Sequence, residues 1–444
     1  MVWRSLIVVE GAIQTMRIET DFLGTVEIPD GALYGIQSVR TKENLSFSKN
    51  TLKDYPDYIQ SLAMVKKAAA MANYEAKVIS LPIKENITLA CNALIDGKYT
   101  EHFIVDVYHG GGGIGINMNI NEVVANLSNK MNGTYVPVHP IEHVNASQST
   151  ADACHTAIRL ALMSGYKRLD EEMQYLSQIL NRKTVQFMPI TTISRTCLQD
   201  ASRIQLGQKF SGFEAVIKRR HQKLQASINE LLTINLGGTV IGKGDGASED
   251  YKQTVIKKLQ EVTQLPIRRR ENLFDAAQNI DDLAEVSKQL CLFATALLKM
   301  AKDLRLLSSG PEAGFAEISL PAIQAGSSFF PGKINPVMPE TIIQCCSEII
   351  GIERVVQTAF EHGELDLNVF ENFAGVHILD GFYMLSNCLK SFTHLCLVGI
   401  QANEQRCLEL SNTRIPKICD LKDKVGYSEV AKLLKQQSLE KWED

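Results

Sequence analysis

No stretch of this chain stays apolar for the length a bilayer requires, so a membrane-spanning segment is not expected. Neither sign of charge dominates: 46 Lys and Arg stand against 50 Asp and Glu, a net charge of −4. That balance gives no electrostatic footprint for nucleic acid or an anionic membrane. The ten cysteines are scattered, only Cys345 and Cys346 are neighbours, and C-x-x-C is missing, which argues against a zinc site or a disulfide framework. Cys291, Cys345 and Cys346 fall among apolar residues of predicted helices and are expected as small core hydrophobes in a reducing cytoplasm. A signal peptide is not expected either: in MVWRSLIVVEGAIQTM only residues 6–9 form an apolar core, too short for an h-region. Met16 is expected as the beginning of the recognisable sequence, with residues 1–15 an upstream extension or a misassigned start.

What is present is ordinary in bulk and distinctive in pattern. Hydrophobic residues make up 45% and charged ones 22% of 444 residues, a composition typical of folded proteins and a length that predicts two or three domains. Residues 16–60 mix strand-like and turn-like pieces punctuated by Pro29, Gly31 and Gly35. Helical spacing runs over 59–76, and a further helix is expected to end near Gly97. From Ala151 onward the chain reads as a series of long helices. Leu283, Val286, Leu290, Phe293, Leu297, Met300, Leu304 and Leu307 alternate spacings of three and four, as do Ile342, Cys345, Ile349, Ile352 and Val356. The runs Leu169, Met173, Leu176, Leu180 and Leu206, Phe210, Phe213, Ile217 repeat the pattern. Such stripes are the seams of helices packed at shallow angles. The fold class they predict is mainly α, a long-helix bundle.

Three stretches carry chemistry rather than packing. The first, residues 326–340, reads GSSFFPGKINPVMPE. Gly326 and Gly332 permit the backbone of a closing loop, while Pro331 and Pro336 limit where it bends. Ser327 or Ser328 acts as a base only if the closed loop lowers its pKa, and Lys333 and Asn335 supply charge and N–H donors for a carboxylate. The second, residues 109–121, reads HGGGGIGINMNIN. Its four glycines prevent a regular element and let the backbone approach a ligand, but the spacing is wrong for a dinucleotide loop. The third, residues 143–152, reads HVNASQSTAD. It places Ser149 and Thr150 at a helix N-terminus, where N–H groups and the dipole favour an anion.

Together these stretches resemble the aspartase/fumarase superfamily. The first resembles its GSS-x-x-P-x-K-x-N loop, the second the Gly-rich segment leading into N-M-N-x-N-E-V, and the third its H-V-N-x-x-Q-S-T-N-D segment. RIETDFLGTVEIPDGALYGIQSVR over 17–40 resembles the family opening, and SRTCLQDASRIQL over 194–206 resembles its G-R-T-H-x-x-D-A segment. NLFDAAQNIDDLAEVS and LRLLSSGPEAGFAEI, within 272–317, are close to the aspartase branch. IPKICDLKDKVGYSEVAKLLKQQ, beyond residue 400, looks like a small C-terminal helical domain. The implied organisation is an N-terminal mixed, mostly helical domain over 16–147, a central long-helix bundle over 148–400 and a C-terminal helical domain over 401–444, with a tetrameric multi-helix core. The resemblance implies a carbon–nitrogen lyase performing anti elimination without metal or organic cofactor. Its active sites would be shared between the subunits of a homotetramer, and its substrate would be a small carboxylate. Ser327 is implied as the base, supported by Ser328. Lys333, Asn335, Ser149, Thr150 and Thr196 are the implied substrate contacts.

Departures from the family pattern bear on specificity. Ile114 stands where aspartases carry Thr, Ala151 where the family has Asn, and Cys197 where it has His. A buried ammonium deprived of those acceptors loses roughly a few kcal/mol, which argues against strict aspartate deamination. The lost His also argues against fumarase activity and leaves Glu340 to turn to Lys333 or face another cation. Phe329 and Phe330 add aromatic faces suited to a quaternary ammonium, and His109 opens the Gly-rich segment. The expectation is a lyase releasing a substituted amine, such as trimethylamine from a betaine like ergothioneine. The alternatives are an aspartate ammonia-lyase and a non-catalytic structural homologue.

Overall fold

The computed structural model describes residues 5–9, 12–132 and 136–435, without the side chains of 5–9, 12–14 and 132. The protein is mainly helical. In chain order the helices are α1 (Ile36–Asn44), α2 (Pro56–Glu75), α3 (Leu81–Ile95), α4 (Ile114–Asn132), α5 (Thr150–Phe187), α6 (Leu206–Glu230) and α7 (Glu249–Thr263). They continue with α8 (Leu273–Gln278), α9 (Asp281–Leu307), α10 (Val337–Glu361), α11 (Glu371–Leu395), α12 (Glu404–Ser411), α13 (Arg414–Val425) and α14 (Tyr427–Lys435). At 38 residues α5 is about 57 Å long, from a rise of 1.5 Å per residue. Among the described residues no helix is long and apolar enough to cross a membrane.

Strands are few. β1 (Ser5–Val9), β2 (Ala12–Asp21) and β3 (Gly24–Pro29) form an antiparallel sheet in sequence order. Met16, the expected beginning of the recognisable sequence, lies inside β2, and residues 1–4, 10 and 11 are outside the described residues. β4 (Thr191–Thr196) and β5 (Gln199–Gln205) form a second hairpin. It interrupts the run of helices expected from Ala151 onward. The turn is made by Cys197 and Leu198 at φ 53° and 60°, left-handed values that suit a two-residue hairpin but that non-glycine residues adopt only at a cost.

Two compact units are formed, one from Met1–Lys167, Gln225–Gln289 and Gly351–Tyr383, the other from Arg168–Leu224, Leu290–Ile350 and Met384–Asp444. The apolar stripes are core as their periodicity predicts: all eight positions from Leu283 to Leu307 are buried, as are both four-residue runs. Cys291 and Cys346 are buried, whereas Cys345 is half-buried.

In the first unit α2 packs against α3 and α7. Its start is set by Pro56, which suits a first helical turn because its missing N–H has no intrahelical partner there. A buried ionic cluster then fixes α5, α9 and the beginning of α11. Arg159, fully buried, donates to both Asp282 oxygens at 2.6 and 2.8 Å and to Glu371 Oε1, which also meets His155 Nδ1 at 2.8 Å. Burial opposes the Asp282 carboxylate, but Arg159 outweighs it and holds its pKa below the usual range. In the second unit the buried carboxylate of Glu317 plays the corresponding part. It accepts from Thr192 Oγ1 at 2.6 Å and pairs with Arg195 and, at 3.4 Å, with Lys209, which binds β4 to the beginning of α6.

Removing one member of a buried ion cluster strands its partners. Arg159→Leu, which leaves Asp282 and Glu371 uncompensated, is expected to lower unfolding stability by roughly 3–5 kcal/mol in urea denaturation. A loss below about 1 kcal/mol, the range of an exposed ion pair, would contradict the cluster as described.

Candidate active site

The N-terminus of α5 is assembled from local hydrogen bonds that follow directly from its sequence. Ser149 Oγ accepts the Ala151 N–H at 3.2 Å, and the Asp152 carboxylate reaches back to the Ser149 N–H at 2.8 Å, the reciprocal logic of a helix cap. The other oxygen of Asp152 accepts the N–H groups of Gly237 and Thr239 at 3.0 and 3.1 Å. Burial pushes the Asp152 carboxyl up, and those three N–H donors work against the rise. Thr150 Oγ1 accepts Asn117 Nδ2 at 3.0 Å, so its own hydroxyl hydrogen is directed elsewhere. Ser149, Thr150 and Ala151 are all half-buried, open enough for a ligand to reach.

The Gly-rich segment leads into this site. Gly111, Gly112 and Gly113 carry φ of 69°, 65° and 92°, a left-handed run only glycine takes readily. They form one 3₁₀ turn, where sequence predicted no regular element, and deliver the chain into α4 at Ile114. Ile114 is 48% exposed. His109 Nδ1 faces the carbonyl of Asp106 at 2.9 Å, which accepts only and so assigns the ring proton to Nδ1. Burial pulls the His109 pKa down, favouring the neutral ring.

Sequence reasoning missed the residue that joins these pieces. Lys66 on α2 is fully buried, and its ammonium donates to Asn117 Oδ1 at 2.8 Å, Asn145 Oδ1 at 3.0 Å and Gln148 Oε1 at 3.1 Å. Three donors meet three amide oxygens, satisfying the group without a carboxylate. Burial pulls its pKa down to about 8. A signal was present: Leu62, Lys66, Ala69 and Asn73 share one helical stripe, all fully buried, so this lysine occupies a core position.

In the second unit Thr196 and Cys197 are exposed at the tip of the β4–β5 hairpin. Loop 326–335 is closed at its base: the Gly326 N–H donates to the Lys333 carbonyl at 2.9 Å, and Asn335 Nδ2 donates to the Gly326 carbonyl. A Cβ at Gly326 would collide with the Lys333 carbonyl, so glycine is required there for close approach. One amide hydrogen of Asn335, expected to hold substrate, is thus used by the loop itself. Ser327 Oγ accepts two backbone N–H groups, from Phe329 at 3.0 Å and Phe330 at 2.8 Å. Ser328 and Lys333 are exposed. Phe329 and Phe330 meet edge to face at 4.8 Å, 81% and 58% exposed, and Lys333 Nζ lies 6.0 Å from the Phe330 ring centre. Glu340 pairs with Arg305 at 3.1 Å, a cation the sequence reading had not named.

The structure therefore gathers Ser149, Thr150, Ala151, Ile114 and His109 around the beginnings of α4 and α5, Thr196 and Cys197 on the hairpin tip, and Ser327, Ser328, Phe329, Phe330, Lys333 and Asn335 on one loop. Among the described residues no cluster of three His, Cys, Asp or Glu side chains is placed to hold a metal ion.

For Lys66 the folded pKa, about 8, lies below the ordinary lysine value of 10.5. The unfolded chain then binds more protons between those pH values, and the lysine's contribution to stability rises with pH across that window. Comparing urea unfolding of the wild type and Lys66→Met from pH 7.5 to 10 is expected to show that rise in the wild type only. The variant is expected to be less stable at neutral pH by about 1–3 kcal/mol, because three amide oxygens lose their donor.

A family model described as lyase matches residues 24–351. The chain is 41% identical over 425 residues to an aspartate ammonia-lyase of Helicobacter pylori, covering 95% of this chain and 91% of that protein. It is 40% identical over 397 residues to the Escherichia coli aspartate ammonia-lyase, covering 88% and 83%. Among solved structures, a fumarate lyase:delta crystallin from Brucella melitensis superposes with TM-score 0.92 at 39% identity, covering 95% of this chain and 92% of that one. A class II fumarase from Schistosoma mansoni gives 0.91 at 28% identity, with the same coverage. Matches this extensive, joined to the loop and helix N-terminus just described, mean that the chain belongs to the aspartase/fumarase superfamily, near its aspartase branch, and is a carbon–nitrogen lyase of the ammonia-lyase type.

Proposed function

We propose that the enzyme performs anti elimination of an amine from an aspartate-like amino acid, with Ser327 as the base. The observation that carries this reading is the pair of N–H groups aimed at Ser327 Oγ. Two donors directed at one oxygen stabilise its ionised form, the form a serine must reach to remove a proton from carbon. In the reaction Ser327 takes the hydrogen from the carbon beside the carboxylate, the electrons pass into an aci-carboxylate, and the C–N bond then breaks to leave an unsaturated acid and the amine. Lys333 and Asn335 hold one carboxylate, with Ser328 and Thr196 assisting. Ser149 and Thr150, presented with the N–H groups of α5, hold the anion on the opposite wall. In a homotetramer these groups come from different subunits, so that each site is completed by neighbouring copies.

L-Aspartate is the first candidate substrate, supported by 40–41% identity to aspartate ammonia-lyases over most of the chain. A second reading, release of a substituted amine such as trimethylamine from ergothioneine, is favoured by a specific observation. Phe329 and Phe330 are solvent-exposed beside Ser327, aromatic surface of the kind that attracts a quaternary ammonium. Ile114, Ala151 and Cys197 offer no strong acceptor to an N–H.

Following the absorbance of the unsaturated product with L-aspartate and with ergothioneine separates the two readings. Turnover of aspartate at ordinary enzyme rates supports the first and excludes the second as the main activity. In either case Ser327→Ala is expected to lower kcat by about 10²–10⁴-fold with little change in folding stability. Undiminished turnover by that variant would remove Ser327 from the mechanism.

A further inference from the structure

The turn at 110–113 presents a physical problem. Its glycines have no side chains to pack, and three consecutive left-handed residues carry a large entropy in the unfolded chain. A turn of this kind holds one shape only if something outside it does the holding. The first unit supplies that group from far along the sequence: Asn372 Nδ2, at the beginning of α11, donates to the Gly112 carbonyl at 3.0 Å. The fit has no slack, because a Cβ at Gly113 would fall on the same amide nitrogen.

We propose that Asn372 is a positioning residue of the candidate active site and that Tyr58 acts through it. The inference rests on the reading that substrate carboxylate is held at the beginnings of α4 and α5. Tyr58, fully buried on α2, donates its hydroxyl to Asn372 Oδ1. The Gly112 carbonyl can only accept, so it fixes which end of the amide is which, and the Tyr58 hydroxyl, donating to the Oδ1 left on the other side, holds the amide in that orientation. The backbone beneath Asn372 is anchored in turn, for the preceding residue, Glu371, is held by Arg159 and His155, and Arg159 by Asp282. Beyond the turn α4 runs to Asn117, which grips Thr150 and accepts from Lys66. Helix α2 therefore holds the Gly-rich segment at both ends, through Tyr58 and Asn372 at the turn and through Lys66 and Asn117 one helical turn later. The first pair sets where the carbonyl of Gly112 lies and hence the direction in which α4 begins.

The test uses the full chain in four forms: wild type, Tyr58→Phe, Asn372→Ala and the double variant. Amide hydrogen exchange is read across 110–117, and steady-state kinetics are run with whichever of L-aspartate and ergothioneine is turned over. Binding of succinate, a dicarboxylate with no amine to lose, is measured by calorimetry. Asn372→Ala is expected to speed exchange in 110–117 about ten-fold or more while peptides of α9 keep wild-type rates. KM and the succinate Kd are expected to rise about ten-fold, with kcat changed less than about three-fold. Uniform binding is lost and chemistry retained. Tyr58→Phe is expected to have a smaller effect of the same kind and none in the Asn372→Ala background. Unchanged exchange in 110–117, independent addition of the two substitutions, or a fall in kcat with KM unmoved would each overturn the proposal. If Asn372→Ala does not fold, Tyr58→Phe, which removes a single oxygen, decides. A wild type that neither turns over substrate nor binds succinate would defeat the functional reading, and the exchange rates would still settle whether Asn372 holds the turn.

Discussion

A buried lysine ammonium whose hydrogen bonds go to amide oxygens lies in the first unit, and the arrangement around it is what Lys66 requires. A cation taken out of water must recover its hydration from fixed dipoles, and three amide oxygens from two segments, α4 and residues 145–148, converge to provide them. The convergence does more than satisfy one charge. Asn145 Oδ1 also accepts from Asn117 and Asn121, so the loop before α5 and the first turns of α4 are drawn to a common point. Thr150 stands at the end of that network, its hydroxyl oxygen accepting from Asn117 Nδ2.

The two halves of the proposed chemistry are held in different ways. The proposed carboxylate-binding groups at the start of α5 belong to a packed, cross-bonded region in which Asp152 ties the helix cap to the N–H groups of Gly237 and Thr239. The serine loop is exposed, and its internal order comes from a few bonds: two N–H groups onto Ser327 Oγ and a clasp at its base. A heavily cross-bonded proposed anion site and an exposed loop carrying the proposed base suit an elimination in which the substrate is bound first and the base is brought to it afterwards.

Much of the bundle was legible in the sequence because helical burial is periodic, and the stripes from Leu169, Leu206 and Leu283, and that from Ile342 apart from the half-buried Cys345, became core as their spacing demanded. The start of α5 was legible as well, since the hydroxyl pair Ser149 and Thr150 marked a helix N-terminus that the structure places there. What stayed hidden depends on partners distant in sequence or on unusual backbone. Asn372 reaches Gly112 across 260 residues, and no local pattern encodes that. The β4–β5 hairpin escaped because its turn is Cys197 and Leu198 rather than the glycine or asparagine such turns usually carry. Arg305 meets Glu340 between two helices whose own stripes say nothing of their polar faces. The lysine on α2 was readable in principle, as a charge at a core position, but a single residue against a strong apolar stripe is easily passed over.

The clasp between Gly326 and the segment of Lys333 and Asn335 has a kinetic meaning. With both feet pinned together, the arc from Ser327 to Ile334 is a tethered loop whose ends need not find one another again on each catalytic cycle. Its search is confined to the small volume swept by eight residues, and the closure entropy of that ring is already spent in the resting enzyme. In the proposed mechanism each descent onto substrate then costs only the ordering of the arc itself.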